Sequence, residues 1–416
     1  KNDVFFAIKG KKNDGNKFVD EVFKKKSSLV IVNKLKKNYP PSKQVKVQNT
    51  LNFLTKCSSI FRESIDAKII SITGSCGKTT LKEMVGLTLK KISKTTFSPK
   101  SFNNKYGVPL SLINLKQNDE FGVFEVGMDK KGEIDNLTKI TKPDLGVITN
   151  ISYAHSKNFR NINQIANAKA EMINNIKTGG SIVLNRDDNF YNYLKSFATR
   201  KKLNVISFGI KNESSMVKLK KIRKINNKYE LFIKVNNLLM LFYSDNINQS
   251  HLYNILASLA SISPFINIQS LKKDIFLNFK IPKGRGDVSR IKFNNKYINL
   301  VDETYNSNPL SLKTAIENYD SIKLKNSKKH MLLGDMLELG QHSIKQHKLI
   351  SNIINKSKIN NVYVTGKYIR ETFNGLNINK KARILNNKSS IFNLINDELN
   401  NNDYLMIKGS NATGLN

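Results

Sequence analysis

The sequence predicts an α/β protein built in three units around a parallel sheet, and three observations carry that expectation. Short apolar runs of strand length alternate with amphipathic stretches of helical period along most of the chain. A glycine turn at Thr73–Thr80 lies directly between a buried-type strand and a helix. The 416 residues, at about 150 per domain, leave room for two or three cores.

The elements follow in order. Val4–Ile8 reads as a strand, Lys9–Gly15 as a turn-rich loop, Phe18–Lys26 as a helix and Leu29–Val32 as the next strand. A second unit starts with the strand at Lys68–Ile72, followed by a helix whose apolar face is Leu81, Met84, Val85, Leu87 and Leu89. Strand-like runs recur at Phe121–Val126, Leu145–Thr149 and Ser181–Leu184, with helical stretches between them, as in a helix-covered parallel sheet. From Asn204 to Ser244 short strands with polar turns suggest a β-rich insertion. Helical periodicity returns at His251–Ile262, and Pro282–Gly286 reads as an interdomain hinge. A third α/β unit begins at Val288, with strands at Ile298–Val301, His330–Leu333, Asn361–Val364 and Tyr404–Ile407.

Composition excludes several classes. Hydrophobic residues at 39% and charged residues at 24% are incompatible with wholesale disorder. Two cysteines, Cys57 and Cys76, cannot build a disulfide framework and point to a reducing, cytoplasmic setting. No apolar run reaches the ~18 residues of a membrane span. The opening residues from Lys1 to Phe6 show neither an initiator Met nor a signal-peptide pattern, and read as the interior of a first domain, so that the chain reads as a fragment. Lys and Arg number 69 against 32 Asp and Glu, a net +37 that invites a nucleic-acid reading. The lysines, however, are spread among abundant Asn and Ile rather than gathered in a stripe with aromatics. AT-rich coding explains that pattern, no nucleic-acid partner is expected, and the same field favours an anionic small substrate.

The strongest chemical signal is the strand–glycine loop–helix at Ile69–Leu89. Gly74 and Gly77 let backbone N–H groups close around phosphate oxygens, and the helix N-terminus adds its positive end. Lys78 can reach the β- and γ-phosphates, and the Thr79 hydroxyl is placed to ligate Mg²⁺. The loop is shorter than the common form, because Ile72 stands five residues before Gly77. Glu125 ends a parallel strand, at the edge where open α/β sheets hold ligands, and can bind a metal ion. His155 follows another strand of that edge as a candidate metal ligand, and Lys169 sits on an apolar-faced helix.

At these motifs the chain resembles the Mur ligases. Ile72–Thr80, Asn103-Asn104-Lys105-Tyr106-Gly107-Val108-Pro109 and Glu125-Val126-Gly127 look like that family's central ATPase domain, whose own variant is the short glycine loop. Ala154-His155 and Ala168-Lys169-Ala170-Glu171 fit the same domain. Asp302–Pro309 and Leu333–Gly340 are similar to the member that adds D-alanyl-D-alanine. Lys408-Gly409-Ser410, Asp3–Gly10 and Asp14-Gly15 agree, so the resemblance runs along essentially the whole chain. It implies that a short N-terminal stretch and the last helix of the family lie outside this sequence.

The resemblance implies a small N-terminal α/β domain that binds the UDP substrate (1–65), a central P-loop ATP-binding domain with a parallel sheet (66–283), and a Rossmann-like C-terminal ligase domain (284–416). It implies ATP-dependent joining of D-alanyl-D-alanine to UDP-N-acetylmuramoyl-tripeptide through an acyl phosphate, in peptidoglycan synthesis, by a cytoplasmic monomer. Thr73, Gly74, Ser75, Cys76, Gly77, Lys78, Thr79 and Thr80 would hold the ATP phosphates, and Thr79, Glu125, His155 and Lys169 the Mg²⁺ ions, with Lys169 carbamylated. Asn254 matches the asparagine near the adenine, but the family histidine expected four residues earlier falls on Ser250, with His251 one place late. Arg285, Asn306 and Asn308 would close over the phosphates. Other readings are a third-residue-adding or polyglutamyl ligase of the family, a silent relative, or a basic NTP- and nucleic-acid-binding protein. The Tyr305–Pro309 and Gly334–Gly340 motifs argue against the first, and the intact Lys78, Thr79, Glu125, His155 and Lys169 against the second.

Overall fold

The computed structural model describes residues 3–10, 13–324, 326–386 and 388–416, so Lys1, Asn2 and part of the Lys9–Gly15 loop lie outside the described residues. A three-stranded parallel sheet comes first, from β1 (Val4–Phe6), β2 (Leu29–Val32) and β3 (Gln44–Lys46), with helix α1 (Val19–Lys24) after β1. Its core is small, with Ala7, Val19, Val30 and Val32 fully buried.

Helix α2 (Thr50–Glu63) leads from this sheet into the next unit and is bonded to both. At its start Thr50 Oγ1 donates to Ala7 O (3.1 Å). At its end the buried Arg62 donates to Thr141 O (2.9 Å) and Ile65 O (2.8 Å), and Nη2 lies 3.3 Å from Asp144 Oδ2. Burying a guanidinium is tolerable only when its donors are met, and here they are.

The central sheet has nine strands in the order β12-β11-β10-β9-β8-β7-β4-β6-β5. They are β4 (Lys68–Thr73), β5 (Thr95–Phe97), β6 (Phe121–Glu125), β7 (Leu145–Ile148), β8 (Ser181–Asn185), β9 (Asn204–Gly209), β10 (Val217–Ile225), β11 (Lys228–Val235) and β12 (Leu238–Ser244). The covering helices are α3 (Lys78–Lys90), α4 (Gly107–Leu112), α5 (Glu133–Thr141), α6 (Ile162–Asn174), α7 (Tyr191–Arg200) and α8 (Gln249–Ile262). The β-rich stretch expected from Asn204 to Ser244 extends this sheet, since β10 pairs in parallel with β9 and then antiparallel with β11. The reason is shared burial: Leu231, Ile233 and Val235 pack into the same core as Val147, Val183 and the apolar α8.

The third sheet runs β13-β14-β18-β15-β16-β17, from β13 (Asp287–Phe293), β14 (Lys296–Glu303), β15 (Lys329–Gly334), β16 (Asn361–Thr365), β17 (Lys381–Ile384) and β18 (Tyr404–Lys408). A β13–β14 hairpin forms one antiparallel edge and the rest is parallel, flanked by α9 (Pro309–Asp320), α10 (Ser343–Asn355) and α11 (Arg370–Asn374). Among the described residues no helix is long and apolar enough to cross a membrane.

Arg62→Ala removes the donor that Asp144 and two buried carbonyls share, so unfolding by urea should show a loss of about 3 kcal/mol. Wild-type stability in that variant would contradict the role of Arg62 as the joint between α2 and the central sheet.

Candidate active site

Strand β4 lies in the middle of the central sheet, buried from Ile69 to Thr73, and its C-terminal end turns straight into α3. Two glycines make that turn possible. Gly74 has φ +145° and a Cβ there would overlap Thr149, while Gly77 at φ +80° opens the helix. The loop rests on the segment after β7: Ser75 N–H donates to Asn150 O (3.0 Å), Cys76 N–H to Asn150 Oδ1 (2.9 Å) and Thr149 Oγ1 to Cys76 O (2.6 Å). Ser75 and Cys76 have therefore committed their amides to the protein. The amides that precede the first helical bond, Leu81 N–H to Gly77 O, are those of Lys78, Thr79 and Thr80, at the N-terminal end of α3, the end of a helix that favours an anion.

Around this end the sheet edge gathers further groups. Ile72 is in register with Glu125 and Thr73 with Ile148, so the ends of β4, β6 and β7 lie side by side. Glu125 is 1% exposed. Its Oε2 accepts from Thr79 Oγ1 (2.6 Å) and its Oε1 from Asn103 Nδ2 (2.7 Å). Lys78 Nζ folds back onto Gly74 O (3.0 Å). The wholly buried Lys82 on α3 donates to Ser98 O (2.5 Å) and Lys100 O (2.8 Å), fixing the segment that delivers Asn103.

A cavity of about 1090 Å³ opens over the loop, bounded by the central and third sheets. Ser75, Cys76, Gly77, Lys78, Thr79 and Thr80 line it, as do Glu125, His155 and Asn254. Arg285, Asn306 and Asn308 face it from the third unit. Thr73, Gly74 and Lys169 are not on its wall. Thr73 is buried at the end of β4 with its hydroxyl unpaired among the described residues. Lys169 is buried in α6, and burial, together with the charge of Lys78, pulls its pKa well below the ordinary lysine value.

Contacts across the cleft are short and polar. Arg285 Nη2 donates to Thr79 Oγ1 (2.9 Å) and its guanidinium lies 3.8 Å from the Tyr305 ring centre. The Tyr305 hydroxyl hydrogen-bonds Ser101 Oγ. Cys76 Sγ donates to Asn308 Oδ1 (3.1 Å), while Asn308 also caps α9 in a reciprocal pair with Ser311. Burial raises the Cys76 thiol pKa, keeping it a neutral donor. Asn306 presents its backbone oxygen to Lys408 Nζ (3.0 Å), and Lys408, 1% exposed, lies 3.1 Å from Glu303 Oε2.

His155 sits at φ +53° at the exit from β7. Its Nδ1 is 2.5 Å from Glu338 Oε2 and 3.2 Å from Asp129 Oδ1, approached off the N–H line as charge contacts. Burial alone would lower the pKa of this ring, but the two carboxylates outweigh it and the net shift is upward. Sequence reasoning left Asn103, Lys408, Glu303 and Glu338 out of the site although each lies in a motif it had singled out; Asp129 gave no signal.

His251 takes no part in this cluster of charges. It is buried in α8, with Nε2 3.3 Å from Ser244 Oγ. At the start of that helix Gln249 N–H and Ser250 Oγ meet the Asn318 side chain of the third unit. Asn254 Oδ1, one turn on, would stand 3.5 Å from a Cβ on Gly77.

A second cavity, of about 1070 Å³, lies between the first sheet and the start of α4, lined by Asp14, Asn33, Lys34, Lys37, Lys105 and Tyr106 among others. Its lysines suit an anionic ligand.

Burial pushes the His251 ring from 6.5 down to about 4. Between those values the unfolded chain binds a proton that the folded chain refuses, so stability should fall with falling pH by about 1.4 kcal/mol per unit. Melting temperatures of the wild type and His251→Gln, taken between about pH 7 and about pH 5, should diverge from this slope. An equal decline in both would remove His251 as its cause.

The Mur ligase middle-domain model matches residues 72–262, and the Mur ligase glutamate-ligase-domain model matches residues 288–411. A UDP-N-acetylmuramoyl-tripeptide–D-alanyl-D-alanine ligase of Buchnera aphidicola is 33% identical over 372 residues, covering 88% of this chain and 78% of that protein. The enzyme of the same name from Rickettsia prowazekii is 29% identical over 422 residues, covering 100% and 91%. The structure of MurF ligase from Thermotoga maritima in complex with ADP superposes with a TM-score of 0.84 at 26% identity, covering 100% of this chain and 92% of that one. A MurF structure from Acinetobacter baumannii gives 0.85 at 25%, covering 99% and 88%. With both larger units matched and the likeness continuous through the first, the chain belongs to the Mur ligase family.

Proposed function

We propose that the chain joins D-alanyl-D-alanine to UDP-N-acetylmuramoyl-tripeptide at the expense of ATP, completing the pentapeptide precursor of peptidoglycan. The observation that carries this reading is the single cavity in which the N-terminal end of α3, the buried Glu125 and the third unit's Arg285 meet. Relatives with this activity match nearly the whole chain, and the Thermotoga maritima neighbour is a complex with ADP.

The residues divide the work as follows. The Lys78, Thr79 and Thr80 amides and the Lys78 ammonium take the β- and γ-phosphates of ATP, and Asn254 faces the nucleoside. An oxygen of the tripeptide's terminal carboxylate attacks the γ-phosphorus, the bond to ADP breaks, and an acyl phosphate forms. The D-alanyl-D-alanine amine then attacks the acyl carbon, phosphate departs with the C–O bond electrons, and the amine proton is released. Two anions meet in the first step, so cationic stabilisation by Lys78 and Arg285 dominates. The donor set fits Mg²⁺: a buried carboxylate beside a threonine hydroxyl, with a further imidazole, is hard and oxygen-rich. Thr79, Glu125 and His155 would hold the metal, which supplies further charge neutralisation at the phosphates. Lys169, buried with a lowered pKa, can keep the neutral amine that reacts with CO₂, and we assign it a carbamate.

The units take residues 1–65, 66–283 and 284–416 in this reading, with the lysine-lined second cavity receiving the UDP end. The enzyme works as a cytoplasmic monomer, in keeping with its two free cysteines.

Phosphate release in the presence of ATP, Mg²⁺ and the lysine- or diaminopimelate-containing UDP-tripeptide should depend on D-alanyl-D-alanine. Release that ignores the dipeptide would overturn the assignment. Lys78→Ala should retain the fold by circular dichroism and lose at least about a thousandfold in turnover; activity within a few-fold of wild type would remove Lys78 from the mechanism. Lys169→Ala should be inactive and regain activity with a short-chain carboxylic acid, which replaces the carbamate. Rescue by a small alkylamine instead would show that a cation is needed there.

A further inference from the structure

The third unit touches the central one at a second place, away from Arg285, and the contact is built from unusual backbone. Glu338 and Gly340, at φ +64° and +58°, fold the segment after β15 against the loop that follows His155. Lys157 N–H donates to Glu338 O (2.8 Å) and Ser156 Oγ to Leu339 O (3.3 Å). The His342 ring lies 4.8 Å from that of Tyr153. A Cβ on Gly340 would stand 2.8 Å from Lys157 Cα, so only glycine allows this approach. The contact brings the Glu338 carboxylate to 2.5 Å from His155 Nδ1, on a residue that also lines the nucleotide cavity.

Glu338 and Asp129 cover the buried Nδ1 side of the ring from off its N–H line, while the residue stays part-exposed on the cavity wall, so Nε2 is the ring nitrogen left to face a ligand. Metal-binding histidines are commonly oriented in this way, by a carboxylate on the opposite ring nitrogen. We propose that Glu338 is a positioning residue: by docking across the domain interface it fixes the ring of His155 so that Nε2 is offered to the metal at the nucleotide phosphates. The Mg²⁺ site of the central domain is then complete only while the third domain is seated. Asp129, 3.2 Å from the same nitrogen and on the central domain, gives weaker support that does not depend on docking. This inference rests on the ligase reading for the role of His155 but concerns a residue of the other domain.

Mn²⁺ can replace Mg²⁺ as a paramagnetic probe, and its affinity for the full chain with ADP is measurable without turnover. Glu338→Ala should weaken Mn²⁺ binding at least about tenfold and leave ADP affinity without metal unchanged. Gly340→Ala, which keeps the carboxylate but obstructs its approach, should weaken it in the same direction. In the metal-free protein ¹⁵N-histidine spectra, simplified by the presence of only five histidines, should show His155 protonated on Nδ1 in the wild type. That signature should be lost in Glu338→Ala. Wild-type Mn²⁺ affinity in either variant, or a His155 ring protonated on Nε2 alone, would overturn the proposal. The two readings fail separately. A chain that binds Mn²⁺ as described but ignores D-alanyl-D-alanine keeps Glu338 in its role and loses the ligase assignment. A chain that ligates normally and shows no Mn²⁺ effect does the reverse.

Discussion

A carboxylate held almost entirely out of water at the end of a parallel strand must have every oxygen answered, and Glu125 imposes that requirement on everything around it. Thr79 answers one oxygen, which fixes the first turn of α3; Asn103 answers the other, which fixes the segment after β5. Arg285 then completes Thr79 from the third unit, so the chain of bonds from sheet to helix to neighbouring domain begins at one buried charge. Lys82 serves the same arrangement from behind by tying down the carbonyls of Ser98 and Lys100. The geometry of the glycine loop is thus set as much by the carboxylate beneath it as by its own glycines.

Much of this was legible in the sequence, because it is local. A buried strand, a glycine turn and an amphipathic helix are contiguous from Ile69 to Leu89, and their order alone predicts the strand–loop–helix that the structure shows. What was not legible depends on pairing between distant segments. The strands after Asn204 alternate apolar and polar residues in a way that fits a separate insertion as well as an extension of the sheet. Only their burial under α8 settles which. His155 was found as a residue next to a strand, but its partner Glu338 lies 183 positions on in a different domain, and no spacing rule links them (338 minus 155). Asn308 stood out as a candidate phosphate ligand, and its side chain also caps α9, a local use that the Asn-Pro pair already announces.

The contacts over the first cavity are polar. Arg285 with Thr79, Tyr305 with Ser101, and Cys76 with Asn308 are single polar bonds between side chains, and the large apolar clusters stay within their own sheets apart from Tyr153, which packs against the third core. Polar bonds of this sort exchange readily with water and substrate, each worth about 1 kcal/mol net. An interface of that composition can open for loading and close for chemistry without exposing a core.

The seam between the first and central sheets is made differently. Helix α2 is pinned at one end to Ala7 and at the other, through the buried Arg62, to the carbonyls at the end of α5 and to Asp144. The bonds of Thr50 and of Arg62 Nε are buried, so water does not compete for them and the helix is held firmly at both ends. The lysine-lined recess near Tyr106 is thereby tied to the glycine loop through buried bonds, whereas the third unit meets that loop through exchangeable polar ones.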